Sequence, residues 1–372
     1  MGVKPARGKA ELQIERSAGP ALMNGFEIAD IDRAVQHAAP ALDDMQGGSL
    51  FLTGGTGFFG QWLLALIARA NAVRSSAISV TALTRDAAGF QTRCPDLAGQ
   101  AFIRLVEGDV RSFEFPRHRF SHLIHAAADT SALADQKPLD LMETIVEGTA
   151  RVMAFAAEQQ LRRSLLVSSG AVYGQQPADL SHIAEDFHGA PDPLDRRSAY
   201  GAAKRMAEQI AALHNRRESA VVIARGFTFA GPGIPLDGHF AIGNFVRDAV
   251  AGRPVTVAGD GTPRRSYLYA GDLAAWLLRL LTHGQPGNAY NVGSDHAVSI
   301  AELAGEIARV IPSAAGVRVQ AKPSGSLRSH YIPSIDKARR EMGLDVWTPL
   351  DQSIERMGRW AERLALHPPA SR

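Results

Sequence analysis

The sequence predicts an α/β fold built on a doubly wound parallel sheet, and three observations predict it. From Ser49 onward, short apolar runs alternate with segments of helical period, the pattern of strands joined by crossover helices. The runs are apolar throughout rather than alternating, as in strands covered on both faces. The first run ends in a cluster of glycines that opens a helix.

Taken in order, strands are expected at Ser49–Thr53, Ala77–Leu83, Ala101–Val106, Ser121–His125, Arg163–Ser169 and Ala220–Ala224. Helices are expected at Gln61–Ala72, Leu139–Glu158 and Ala199–His214. Ahead of them, Ile28, Ile31 and Val35 recur at helical spacing, so Glu27–Met45 is expected to hold a short amphipathic helix, broken near Pro40 and packed on the main domain. Past Gly226 the pattern loosens. Phe227–Gly238 reads as a loop, followed by helices at Asn244–Gly252, Gly271–Leu281 and Ile300–Val310 and a strand at Val255–Ala258. The tail His367–Arg372 is expected to fray.

The 372 residues suffice for two modest domains or one large one, and a 45% apolar, 21% charged composition is ordinary for a globular chain. A net charge of +2 argues against a nucleic-acid or membrane-surface partner. The most apolar stretch, Leu50–Ala70, contains Gly54, Gly55, Gly57, Gly60 and Gln61 and so reads as strand, turn and helix, not as a membrane span. One cysteine, Cys94, excludes an internal disulfide and a CxxC metal site, so no metal is expected. With no apolar secretory segment at Met1–Arg16, the expected location is cytoplasmic.

Thr53-Gly54-Gly55-Thr56-Gly57-Phe58-Phe59-Gly60 follows the first strand and opens a helix. Gly54, Gly57 and Gly60 suit a tight turn, close approach to a pyrophosphate and close helix–strand packing, with free helix N–H groups facing the phosphates. The expected cofactor is therefore NAD(P). At the end of the second strand Thr84 stands where an acid would favour NAD, and Arg85 follows it, which favours NADP with NAD still possible. Asp86 is the ribose ligand if the register is two residues off, and Asp109 is placed to meet the adenine edge or to cap a turn.

Tyr200-Gly201-Ala202-Ala203-Lys204 places a phenol and an ammonium four residues apart, on one helix face. A nearby ammonium and an oxidised nicotinamide are expected to lower the tyrosine pKa towards working pH, so that Tyr200 exchanges the alcohol proton while hydride moves. Ser169 ends a buried strand, where ligands of open α/β sheets bind, and its hydroxyl can polarise the reacting oxygen.

Together these segments resemble the extended short-chain dehydrogenase/reductase family, in particular its NAD(P)-dependent nucleotide-sugar epimerase/dehydratase branch. The resemblance runs from about Ser49 to Trp360. It is carried by TGGTGFFG at 53–60, HAAA at 125–128, GT at 148–149, SSGAVYG at 168–174, YGAAK at 200–204, GDGTPRRSYLYAGDLA at 259–274 and YNVGS at 290–294. It implies a Rossmann-type doubly wound parallel sheet with a smaller C-terminal substrate-binding domain. The implied division is an extension at 1–48, a Rossmann domain at 49–226 to which 265–292 returns, and a substrate domain at 227–264 and 293–372.

By position, the resemblance makes Ser169, Tyr200 and Lys204 catalytic. It implies cofactor contacts at Gly54, Thr56, Gly57, Phe58, Phe59, Gly60, Arg85, Asp109, Val110, Ala126, Ala127, Ala128 and Lys204. A nucleotide-diphosphate sugar would meet Thr130, Ser169, Asn244, Arg265 and Arg328, with Arg265 suited to bidentate phosphate contact. A homodimer through Leu139–Glu158 and Ala199–His214 is also implied. Two departures bear on the reaction. Gly170 and Ala171 replace the acid pair of 4,6-dehydratases, which disfavours dehydration, and Ile145 replaces a usual asparagine. The expected reaction is epimerisation at a ring carbon, C4. The alternatives are an NADPH-dependent 4-keto-sugar reductase, a carbonyl reductase without a sugar, and a non-catalytic NADP sensor.

Overall fold

A computed structural model describes residues 21–127, 137–215, 219–238, 240–321 and 329–366. Seven strands form one sheet: β1 (Ser49–Thr53), β2 (Ser79–Thr84), β3 (Ile103–Glu107), β4 (His122–His125), β5 (Arg163–Ser169), β6 (Ala220–Gly226) and β7 (Ala289–Val292). All pair in parallel, in the order β7-β6-β5-β4-β1-β2-β3. The order reverses between β1 and β4, and the crevice at their carboxyl ends is where such sheets bind ligands.

Successive side chains of a strand point to opposite faces, and β1 shows why continuous apolar runs were needed. Leu50 and Leu52 enter one core, while Phe51 enters the other. The first core is completed by α3 (Phe58–Arg74) and α7 (Ala270–His283), the second by α4 (Pro138–Glu158) and α5 (Ala199–His214). The N-terminal segment joins the first core as two short helices, α1 (Ile28–His37) and α2 (Ala39–Asp44), through Ile31, Val35, Leu42 and Met45. The break falls at Ala38, with Pro40 in the first turn of α2, where its missing N–H costs nothing.

A second lobe has its own core. It is formed by α6 (Ala241–Val250), α8 (Ile300–Val310), α9 (Leu350–Leu366) and the strand Val255–Val257, around Phe245, Val246, Leu303, Ile307, Ile354 and Met357. The boundary expected at 293 is not clean. Ile335, Ala338, Met342 and Leu344 pack in the sheet's first core, because the chain returns to cover the outer strand β7 and α7. Among the elements not anticipated are β7 and α9. The first is only four residues long. The second spaces Ile354, Met357 and Ala361 along one face of an otherwise charged helix. No helix among the described residues is long and apolar enough to cross a membrane.

Candidate active site

A cavity of about 410 Å³ opens at the carboxyl ends of β1 and β4. Of the residues singled out from sequence, Gly54, Thr56, Gly57, Phe58, Phe59, Arg85, Asp109, Val110, Ala126, Ala127, Ser169, Tyr200 and Lys204 line it. Gly60 does not. A Cβ there would lie 2.3 Å from the Gly55 backbone, so Gly60 is a packing glycine beneath the turn. Ala128, Thr130 and Arg328 lie outside the described residues.

The glycine turn forms a cradle. Gly54 has φ +74°, and a Cβ on it would sit 2.6 Å from the Ala126 carbonyl oxygen. Only glycine allows that conformation and that approach without strain. Helix α3 then begins at Gly57 with no side-chain cap, leaving its first N–H groups available to an anion. Thr53, His125 and Ala127 are tied together beneath it. Thr149 Oγ1 donates to the Ile145 carbonyl at 2.6 Å and must accept from His125 Nε2 at 3.1 Å. His125 Nδ1 is therefore the acceptor for Thr53 Oγ1 at 2.7 Å, and Thr53 accepts the Ala127 N–H. Burial, reinforced by the charge of Lys204, pushes His125 down to about 3, so the ring stays neutral.

At the end of the cavity beside β2, Asp109 is in the wall, but Arg111 grips its carboxylate with Nε and Nη2, both at 2.9 Å. That contact holds the Asp109 carboxyl below its usual range. Asp86 is used elsewhere: it caps the helix after β2 by accepting the Gly89 N–H and is paired with Arg93. Thr84 meets Thr56 at 3.3 Å, and Arg85 lies in the wall.

At the opposite end Ser169, Tyr200 and Lys204 converge. Lys204 is buried and donates to the Val167 carbonyl at 2.9 Å. Burial lowers its pKa to about 8. Its Nζ lies 6.0 Å from the centre of the Tyr200 ring. The chain's own groups leave the Tyr200 phenol above its ordinary pKa. Burial raises it, and only a hydrogen bond with Ser169 pulls the other way. Desolvation of the phenolate outweighs a single hydroxyl donor.

Two further residues singled out from sequence lie outside the cavity lining. Asn244 on α6 is turned away, donating to the Gly238 carbonyl and accepting from Arg247. It does not line the cavity, and Phe240, just before α6, does. Arg265 does not line the cavity either. Its guanidinium donates to the Arg264 and Ser329 carbonyls and lies 5.9 Å from the Tyr331 ring. Tyr331 in turn brings its hydroxyl to 3.4 Å from Ser169 Oγ.

Several functional neighbours escaped the sequence reading. Ser168 donates to Glu208, which takes a bidentate clamp from Arg225, and Arg225 also bonds Tyr173. This network ties the end of β5 to α5 and so sets the spacing between Ser169 and Tyr200. Glu208 stands four residues beyond Lys204, a helical repeat that could have flagged it. Phe227, Phe229, Ile234 and Pro235 close the cavity from a loop whose apolar residues carry no periodic signal.

Comparison with known proteins follows the same line. The model of the NAD dependent epimerase/dehydratase family matches residues 50–293. UDP-glucuronic acid decarboxylase 1 of Arabidopsis thaliana is 30% identical over 314 residues, 83% of this chain and 68% of that protein. A dTDP-glucose 4,6-dehydratase of Streptomyces venezuelae, solved with NAD and TYD bound, superposes with a TM-score of 0.74 at 24% identity, covering 87% of this chain and all (100%) of that one. A UDP-glucuronic acid 4-epimerase of Bacillus cereus, solved with UDP-glucuronic acid and NAD, gives 0.72 at 18% identity, covering 85% and 99%.

Proposed function

Because the chain belongs to the NAD-dependent epimerase/dehydratase family, we propose that it epimerises a nucleotide-diphosphate sugar at a ring carbon, C4, with Tyr200 as the acid and base. The observation that carries this reading is the end of β5. Ser169 is followed by Gly170 and Ala171 in a tight turn, and neither side chain can move a proton. Removal of water needs a base and an acid in addition to the tyrosine, and epimerisation needs neither.

The cradle fits a dinucleotide: a glycine turn with no room for a Cβ, an uncapped helix start, and a wall running from Arg85 to Lys204. A bound nicotinamide dinucleotide supplies a hydride acceptor in one half of the turnover and a hydride donor in the other. The chain's own residues do the rest. Ser169 donates a hydrogen bond to the reacting oxygen. Tyr200 takes the hydroxyl proton as the ring carbon is oxidised, and returns it when the carbon is reduced from its other face. Lys204, held by the Val167 carbonyl, is placed to bind a ribose hydroxyl and to favour the phenolate. We take the cofactor as NAD, against the expectation from Arg85. The reaction has no net oxidation, and the two structures named above were solved with NAD. A homodimer through α4 and α5 is part of the proposal, supported by exposed Leu139, Met206 and Leu213 on those helices.

The 30% identity to a decarboxylase favours one second reading, loss of CO2 from a nucleotide-linked uronic acid. The test is incubation with UDP-glucose and UDP-glucuronic acid followed by proton NMR. A C4 epimer without added reductant supports the proposal. A pentose with released CO2 replaces it with the second reading. No change to either sugar, with NADPH consumed stoichiometrically only when a nucleotide 4-keto sugar is supplied, overturns both in favour of a reductase. Denaturing the purified protein and weighing the released dinucleotide decides between NAD and NADP.

A further inference from the structure

We propose that Phe26 is a positioning residue for the cavity, carried on an N-terminal strap that spans the two lobes and holds the wall at Pro232–Pro235. The strap begins with a hairpin. Met23 pairs with Phe26 and Leu22 with Glu27, and the two turn residues, Asn24 and Gly25, have φ +51° and +77°. Positive φ at both positions of a two-residue turn is what an Asn-Gly pair supplies. The turn drives Phe26 inward, where it is fully buried.

Phe26 stacks on Trp62 of α3, with ring centres 4.5 Å apart and planes within 10°. Trp62 Nε1 donates to the Pro232 carbonyl at 2.8 Å. At Gly233, φ is +92°, and a Cβ there would come within 3.3 Å of the Phe26 ring and 3.5 Å of Phe58. The next two residues, Ile234 and Pro235, line the cavity, as does Phe58. The aromatic pair therefore buttresses the cavity wall from behind.

The same strap is fixed to both lobes. Its helices α1 and α2 pack in the sheet's core. Its acids reach α9 in the other lobe. Glu27 takes a bidentate contact from Arg359 at 2.8 and 2.9 Å and a third bond from Arg363 at 3.2 Å. Asp30, almost fully buried, pairs with Arg356 at 3.0 Å and accepts from Tyr269 at 2.9 Å. Arg359 and Arg363 hold the Glu27 carboxyl below its usual range. A segment anchored on both sides of a cleft limits how far the cleft wall can move, and a wall held in place costs a ligand less ordering on binding.

The effect on ligand rests on the reading that the cavity holds a dinucleotide; the effect on the wall does not. The full chain is compared with Phe26→Ala and with Val35→Ala, which empties core under the same segment away from the wall. Two quantities are read: hydrogen exchange in 231–238, and NADH affinity by fluorescence titration. Phe26→Ala is expected to raise exchange in 231–238 and weaken NADH binding, each about tenfold, while Val35→Ala lowers the melting temperature and changes neither. Phe26→Tyr, which keeps the stack, should restore both. Should Phe26→Ala not fold, Phe26→Leu keeps apolar volume, loses the stack and gives the same comparison. Equal exchange in the Phe26 and Val35 variants overturns the proposal. If the wild-type chain binds no NADH, the cofactor reading fails, and exchange alone still decides whether the strap holds the wall.

Discussion

The two walls of the cavity are built differently. The wall on the sheet side is backbone and small residues: Gly54, Gly57, Ala126 and Ala127, at the ends of strands hydrogen-bonded to one another. The facing wall is side chains, Phe227, Phe229, Ile234, Pro235 and Phe240, drawn from the segment between β6 and α6. A backbone wall is fixed by the hydrogen bonds of the sheet and tolerates almost no added atom. A side-chain wall is only as firm as what packs behind it, here Trp62 and Phe26. The difference teaches that the first kind of wall is closed to substitution, while the second can be reshaped by changing what packs behind it.

The largest effect that would break this division comes from Tyr200→Phe. It is expected to lower turnover about 10³-fold or more while dinucleotide affinity stays within about twofold. Steady-state rates and a binding titration check it. Equal loss of both would mean that the phenol belongs to the cofactor wall rather than to the chemistry.

The next effect sharpens the contrast by adding one methyl group to the backbone wall. Gly54→Ala places a Cβ against the Ala126 carbonyl and forces alanine to positive φ, which should cost about 2–4 kcal/mol in urea unfolding and abolish dinucleotide retention. A stable variant that keeps its dinucleotide would show that the turn can open.

The smallest effect concerns the charge buried between the walls. Lys204 has its pKa depressed to about 8 from an ordinary 10.5. The folded chain therefore sheds this proton more readily than the unfolded one. The cost of burying the ammonium is fully present below pH 8 and is relieved as pH rises towards 10.5. Stability should thus gain about 1 kcal/mol between pH 8 and 9 from this group. Unfolding midpoints at the two pH values, compared with those of Lys204→Met, isolate it; an unchanged difference in the variant would assign the gain elsewhere.

The alternation that predicts the parallel sheet and the glycine turn at 53–60 were legible because both follow from local chemistry. A strand covered on both faces must be apolar, and a turn without room for Cβ must be glycine. The spacing of Tyr200 and Lys204 was legible for the same reason, since four residues on a helix share a face. The Asn24-Gly25 hairpin is also written locally, but it stands before the first strong strand, where the helical spacing of Ile28, Ile31 and Val35 is the stronger signal.

By itself, then, the sequence determined the strands of the sheet, the glycine turn and the shared helix face of Tyr200 and Lys204, each of which needs only neighbours along the chain. Tertiary structure decided the rest. It turned Asn244 away and put Phe240 in the wall, removed Arg265 from the lining and brought Tyr331 to Ser169. It buried the Tyr200 phenol, which raises its pKa, because burial depends on what surrounds a phenol and not on what lies four residues away. It also joined Phe26 to Trp62 and Glu27 to Arg359. Contacts between residues tens to hundreds apart form only when several elements bury their apolar faces together, and no local pattern records where those faces will meet.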